Sequence, residues 1–204
     1  MPFEVVNTEK GFGVILELLS SQILSTLMHD NTKDFDKYVV KMVDLAKTLA
    51  NTEFEEGTLR NSNDIATEYV ESAVEFLTPE EIVALKNYID IVPQRNTGVH
   101  GDFHARNIMM MDGKPILIDM DGFRCGHPVW DIGGTYRIYN IFPHFSDDIT
   151  HKLFELEGIT LPDFYFKMIR FTVDEADRCW EKFFDEYFKD YSAQEKCKLL
   201  TPIT

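Results

Sequence analysis

Two apolar runs, Asn107–Met111 and Lys114–Met120, flank the dipeptide Asp112-Gly113 in the middle of a chain that is otherwise helical in its periodicity. Asp-Gly as a two-residue connection signals a type I′ hairpin, because both central residues must take positive φ and few residue pairs do so cheaply. A hairpin fixed at mid-chain excludes a plain helical bundle. The expectation is a predominantly helical α+β fold with a small central sheet.

The flanks carry the helices. Phe35, Tyr38, Val39, Met42, Val43, Ala46 and Leu49 recur at helical spacing, as do Ile65, Tyr69, Ala73, Val74 and Leu77. Thr78-Pro79-Glu80-Glu81 combines an N-cap, a proline at the first helical position and a glutamate three residues after the cap, which predicts a helix from Pro79 to about Ile91, closed by Pro93. Helical periodicity returns from about Asp131, restarts after a Ser146 cap and ends near Gly158. A final long helix is expected from Pro162, with Phe166, Ile169, Phe171, Val173, Cys179, Trp180, Phe183, Phe184 and Phe188 as its core stripe. At the N-terminus, Phe3–Asn7 and Phe12–Leu18 read as a short antiparallel hairpin.

With 44% hydrophobic and 13% aromatic residues over 204 positions, the chain can bury a real core, which excludes disorder. Its 35 acidic against 20 basic residues leave a net charge of -15. A phosphate backbone or an anionic membrane is bound by surplus Lys and Arg, so neither is an expected partner. Cys125, Cys179 and Cys197 are an odd number without paired spacing, which suggests a reduced, cytoplasmic compartment rather than a disulfide framework or a zinc ribbon. No basic segment followed by an apolar stretch marks a signal peptide, and no run is long enough to span a membrane.

The densest polar block is His100-Gly101-Asp102-Phe103-His104-Ala105-Arg106-Asn107, followed a dozen residues later by Ile118-Asp119-Met120-Asp121. The hairpin between them folds the second block back over the first, so Asn107 and Asp119 are expected to face each other across paired strands. One amide oxygen and one carboxylate suit a hard divalent ion, and magnesium takes its remaining ligands from water and phosphates. Asp102 would project beside the ion, where a carboxylate orients a hydroxyl and accepts its proton.

These residues carry a resemblance. H-G-D-F-H-A-R-N at 100–107 followed by I-L-I-D-M-D at 116–121 is similar to the catalytic and metal-binding loops of the aminoglycoside phosphotransferase and choline kinase family, relatives of the protein kinases. The resemblance implies that Asp102 is the catalytic base, that Asn107 and Asp119 hold Mg2+ on the phosphates of ATP or GTP, and that His104 stands where protein kinases carry their catalytic-loop lysine. Cys125-Gly126-His127-Pro128-Val129-Trp130-Asp131 resembles the family's G-x-P-x-x-D element, whose aspartate braces the catalytic loop. Gly13–Ser20 looks like the last small-lobe strand running into the hinge, with Glu17, Leu18 and Leu19 meeting the adenine. The implied architecture is a protein-kinase-like large lobe over residues 21–204, with residues 1–20 a remnant of the small lobe and hinge. Only 16 residues precede Glu17, Leu16 stands where the third glycine of a glycine-rich loop should be, and no lysine occurs between Lys10 and Lys33. The rest of a small lobe is therefore missing from the pattern, as in a truncated or split protein, and self-association through the uncovered hairpin is expected.

The implied reaction passes a γ-phosphoryl group to the hydroxyl of a small molecule. An acidic surface suits a cationic acceptor, and Asp174, Glu175 and Asp177 lie where the family builds its acceptor pocket. Two alternatives stand beside this reading. The large lobe persists as a non-catalytic pseudo-kinase or binding module, or His100, Asp102 and His104 share one face of a strand as in a metal-dependent hydrolase. An extended 100–104 segment favours the hydrolase and a loop favours the kinase. Asp121 is a further candidate metal ligand, and Cys125 with His127 is too small a pair for a zinc site.

Overall fold

A computed structural model describes residues 2–9, 11–16, 21–145, 154 and 158–200. The hinge residues Glu17, Leu18 and Leu19 and the Ser146 cap lie outside the described residues. In chain order the elements begin with the strands β1 (Pro2–Thr8), β2 (Gly11–Leu16) and β3 (Gln22–Ile23). The helices α1 (Leu24–Asp30), α2 (Phe35–Asn51), α3 (Ser62–Ser72) and α4 (Pro79–Ile91) follow. Then come β4 (Thr97–Val99), β5 (Ile108–Met111), β6 (Lys114–Leu117) and β7 (Arg124–Gly126). The last helices are α5 (Val129–Tyr136), continued by a π-helical stretch over Arg137–Ile141, then α6 (Leu161–Ile169), α7 (Val173–Phe188) and α8 (Ala193–Leu200). The chain is mainly helical with small sheets, as its sequence predicts.

The central turn forms as its chemistry requires. Asp112 has φ 50° and Gly113 φ 76°, and the turn joins β5 to β6 with Met111 opposite Lys114 and Ile108 opposite Leu117. Two pairings escaped the sequence pattern because their strands are two or three residues long. β3 adds to the edge of β5, with Ile23 opposite Met109, and β4 pairs antiparallel with β7, with Gly98 opposite Cys125. β1 and β2 pair with each other, Val5 opposite Val14.

The core lies between α2 and α7. Phe35, Val39, Met42, Val43, Ala46 and Leu49 form the buried face of α2, and Ala176, Cys179, Phe183 and Tyr187 form that of α7. Burying each of the larger side chains contributes about 1.5–3 kcal/mol. Phe103, Ala105 and Ile108 belong to the same cluster, so the loop before β5 is anchored in the densest part of the molecule.

The single final helix expected from Pro162 is instead three. Arg170 takes a left-handed conformation, φ 72°, and ends α6. Thr172 and Glu175 then make a capping box, each satisfying the other's backbone N–H, and Ser192 and Glu195 do the same before α8. Paired N-terminal caps of this kind outweigh the continuous apolar stripe that suggested one helix. The face assigned to the second helix also differs. Asn61 caps α3, a 3-10 turn covers Val74–Phe76, and Val70 is buried while Tyr69 and Val74 are exposed. α4 follows its Thr78–Glu81 capping box as predicted.

Candidate active site

Residues 100–104 are a loop, so the strand that would align His100, Asp102 and His104 on one face is absent. Gly101 has φ 86°, and a Cβ there would stand 2.9 Å from the carbonyl oxygen of Gly122 and 2.8 Å from the Arg124 guanidinium. Glycine is required at that bend on both counts.

The loop is held from one helical face. Both oxygens of buried Asp131 accept backbone N–H groups, His100 at 2.8 Å and Gly101 at 2.9 Å. One turn on, Thr135 donates to the carbonyl of Phe103 at 3.0 Å. One further turn on, the Tyr139 hydroxyl accepts the N–H of Ala105 at 2.7 Å. Thr135 and Tyr139 are functional positions that sequence reasoning missed; the signal that could have found them is their four-residue spacing after Asp131 on one helical face. Burial is the largest influence on the Asp131 carboxyl and raises its pKa, while the two N–H donors favour the charged form. On the far side, Arg106 donates to the carbonyls of Lys167 and Met168, closing the C-terminal end of α6 where a cation is favoured.

His100 is fully buried, and both of its ring nitrogens bond to backbone. Nε2–H donates to the Ile118 carbonyl at 3.0 Å and Nδ1 accepts the N–H of Asp102 at 3.3 Å, which fixes the tautomer and ties the first polar block to the second.

Asp102 emerges from this frame with its side chain 53% exposed. One carboxylate oxygen, Oδ2, accepts from His104 Nε2–H at 3.2 Å and from Asn107 Nδ2–H at 3.1 Å; the same Asn107 amide also donates to the Asp102 carbonyl at 3.0 Å. The His104 hydrogen bond is the main reason that the Asp102 pKa lies below the usual carboxylate range. Oδ1 receives no hydrogen bond from the described residues and so keeps its lone pairs for a ligand. His104 is itself buried, with Nδ1 unpartnered.

The two candidate metal ligands sit differently from the expectation. Ile118, not Asp119, is the residue opposite Asn107, donating to its carbonyl at 3.0 Å. Asp119 lies one position beyond the paired strands, in a left-handed conformation at φ 58° and ψ 57°. A non-glycine residue held there costs free energy, and its carboxylate does not repay that by capping the 3-10 turn Met120–Gly122 that follows. The side chain is exposed and unspent. Because Asn107 commits its amide hydrogens to Asp102, its oxygen remains as the ligand atom. The pair thus offers the oxygen donors that magnesium favours. Asp121 is exposed on the same turn. Cys125 and His127 are occupied otherwise: the thiol lies 3.5 Å from the Arg60 carbonyl and His127 Nδ1 accepts the N–H of Val129.

The profile of the phosphotransferase enzyme family, APH, matches residues 27–159. The chain belongs to the APH phosphotransferase family. No curated protein matches the sequence. Among solved structures, this APH-family chain is similar to a glucosamine kinase at 17% identity and a TM-score of 0.41, covering 98% of this chain and 57% of that one. A glucosamine kinase in complex with glucosamine, ADP and inorganic phosphate aligns at 17% identity and a TM-score of 0.40, over 94% of this chain and 52% of that one. The choline kinase LicA from Streptococcus pneumoniae aligns at 15% identity and 0.41, over 98% and 72%. The chain therefore spans little more than half the length of the glucosamine kinases it matches. No helix among the described residues is long and apolar enough to cross a membrane.

Proposed function

We propose that residues 21–204 form the large lobe of a cytoplasmic phosphotransferase that passes the γ-phosphoryl group of ATP or GTP to a hydroxyl of a small molecule. In this reading residues 1–20 belong to the small lobe and hinge, with the adenine meeting Glu17, Leu18 and Leu19. The observation that supports it best is the division of labour within Asp102. Oδ2 is immobilised by His104 and Asn107, and Oδ1 is left for a ligand. A carboxylate with a lowered pKa is a weak base, so Asp102 serves first to orient the acceptor hydroxyl. It takes the proton as the new P–O bond forms and the bond to the β-phosphate bridging oxygen breaks. His104 fixes the carboxylate's rotamer and keeps it charged. Asn107 and Asp119 would hold magnesium, which when bound neutralises and aligns phosphate oxygens.

Two measurements test this. Water-proton relaxation of Mn2+ with ADP reports weak sites, and Asp119→Asn is expected to abolish the enhancement produced by the wild-type protein; an unchanged signal would place the metal elsewhere. Asp102→Asn is expected to lower any phosphoryl transfer about 10²- to 10⁴-fold with the fold intact. Undiminished transfer would show that the base is another group.

A further inference from the structure

The acceptor is the part of the reaction that motifs do not specify, and the structure holds a cavity of about 540 Å³ beginning at Asp102 and His104. That size is ordinary for a small-molecule site. Among the described residues its walls are otherwise mostly carbon: Ile138, Ile141, Phe142, Phe145, Met168 and Ile169. Arg137 is the one further charged residue of that described lining. Among the described residues no hydrogen bond or ion pair engages the Arg137 guanidinium, so its charge is available to a ligand. The wall owes its form to the π-helical stretch Arg137–Ile141. The wider turn lets Tyr139 reach inward to the Ala105 N–H while Ile138, Ile141 and Phe142 line the cavity.

Of the three acids in the region expected to recognise a cation, Asp174 is exposed and does not line the cavity, and the other two are engaged elsewhere. Glu175 completes the capping box of α7 and accepts His29 Nδ1–H at 2.9 Å, and Asp177 pairs with His144 at 2.7 Å. A polyol or polyamine entering this cavity would leave most of its polar groups against carbon, unpaired.

We infer that the cavity takes an alcohol with an apolar body and an anionic group: the hydroxyl at Asp102 Oδ1, the body against Ile138, Ile141, Phe142 and Met168, and the anion at Arg137. This rests on the phosphotransferase reading only for the fate of the hydroxyl, since the binding chemistry stands without it.

The test is calorimetric titration of the purified protein with 10-hydroxydecanoate, 1,10-decanediol, choline and glucosamine. The hydroxy acid is expected to bind at least tenfold more tightly than the diol, and the two cations more weakly than either. Arg137→Gln should remove the preference for the acid and leave diol affinity unchanged. Ile141→Asp, at a partly exposed position that tolerates a polar side chain, should weaken acid and diol alike at least tenfold. Tighter binding of choline or glucosamine, or acid binding indifferent to both substitutions, would overturn the inference. The Mn2+–ADP relaxation measurement, with turnover where it is detectable, separates the two claims. Acid binding in the expected pattern with no Mn2+–ADP enhancement would remove the phosphotransferase reading and uphold the acceptor class. Turnover confined to the cations would do the reverse.

Discussion

Single residues in this molecule are set by how completely their neighbours satisfy them. His127 shows the effect on ionisation. Its Nδ1 accepts the Val129 N–H, and burial, with a smaller contribution from the charge of Arg95, pushes its pKa down from 6.5 to about 4. Between those values the unfolded chain binds the proton and the folded chain refuses it, so stability is full above about pH 6.5 and is lost as pH falls toward about 4. Each pKa unit is worth about 1.4 kcal/mol, so for this buried side chain a loss of roughly 2–3 kcal/mol is expected across the window. Denaturant titrations of wild type and His127→Asn across this window check it; equal slopes would show that His127 is not the titrating group. Asp102 acts with the same sign in a different window: its lowered pKa contributes stability that is full above the ordinary carboxylate value and lost only at more acid pH, so the two residues separate experimentally by pH range.

At the scale of elements, the candidate site is a loop whose shape is dictated by the helix facing it. Asp131, Thr135 and Tyr139 together satisfy three N–H groups and one carbonyl between His100 and Ala105. Tyr139→Phe leaves the buried Ala105 N–H without a partner, which costs about 1–3 kcal/mol. Thermal unfolding should fall accordingly, and the Ala105 amide should exchange with solvent faster than in wild type; unchanged exchange would mean that the hydroxyl does not hold the loop. This dependence explains what the sequence could and could not disclose. The Asp112-Gly113 turn, the Thr78–Glu81 capping box and the α2 stripe are local, so their residues announced them. β3, β4 and β7 are too short for a period to show, and their partners lie far along the chain. The break between α6 and α7 was misread because an apolar stripe continues through Phe171, although Thr172-Val173-Asp174-Glu175 is itself a capping signature. Within the candidate site, the short spacing of Asp102, His104 and Asn107 is what brings their side chains into hydrogen-bond contact. The left-handed Asp119 and the one-residue offset that puts Ile118 opposite Asn107 depend on where pairing ends, which only the folded sheet decides.

At the scale of the whole molecule, the site is rigid from below and open from above. Phe103, Ala105 and Ile108 tie the loop that carries Asp102 into the α2–α7 core, so Asp102 is presented by a well-anchored part of the fold. The β1–β2 hairpin has no such support: its described sheet holds two strands, with Val5 66% and Phe12 86% exposed. A two-stranded hairpin is marginal in water, and exposed apolar side chains on an unpaired edge invite a further strand. In the proposed reading, phosphate binding by Asn107 and Asp119 through magnesium would engage one side of a nucleotide, and the opposite side would need a sheet to cover it. A protein of these 204 residues is therefore expected to bind magnesium-ATP no more tightly than millimolar and to self-associate through the hairpin. Size-exclusion chromatography should show a species larger than a monomer, reduced to monomer by Val5→Lys with Phe12→Lys, and calorimetry should show the weak nucleotide affinity in both forms. Micromolar ATP affinity in a well-behaved monomer would contradict this account, and would mean that residues within these 204 build a nucleotide roof of their own.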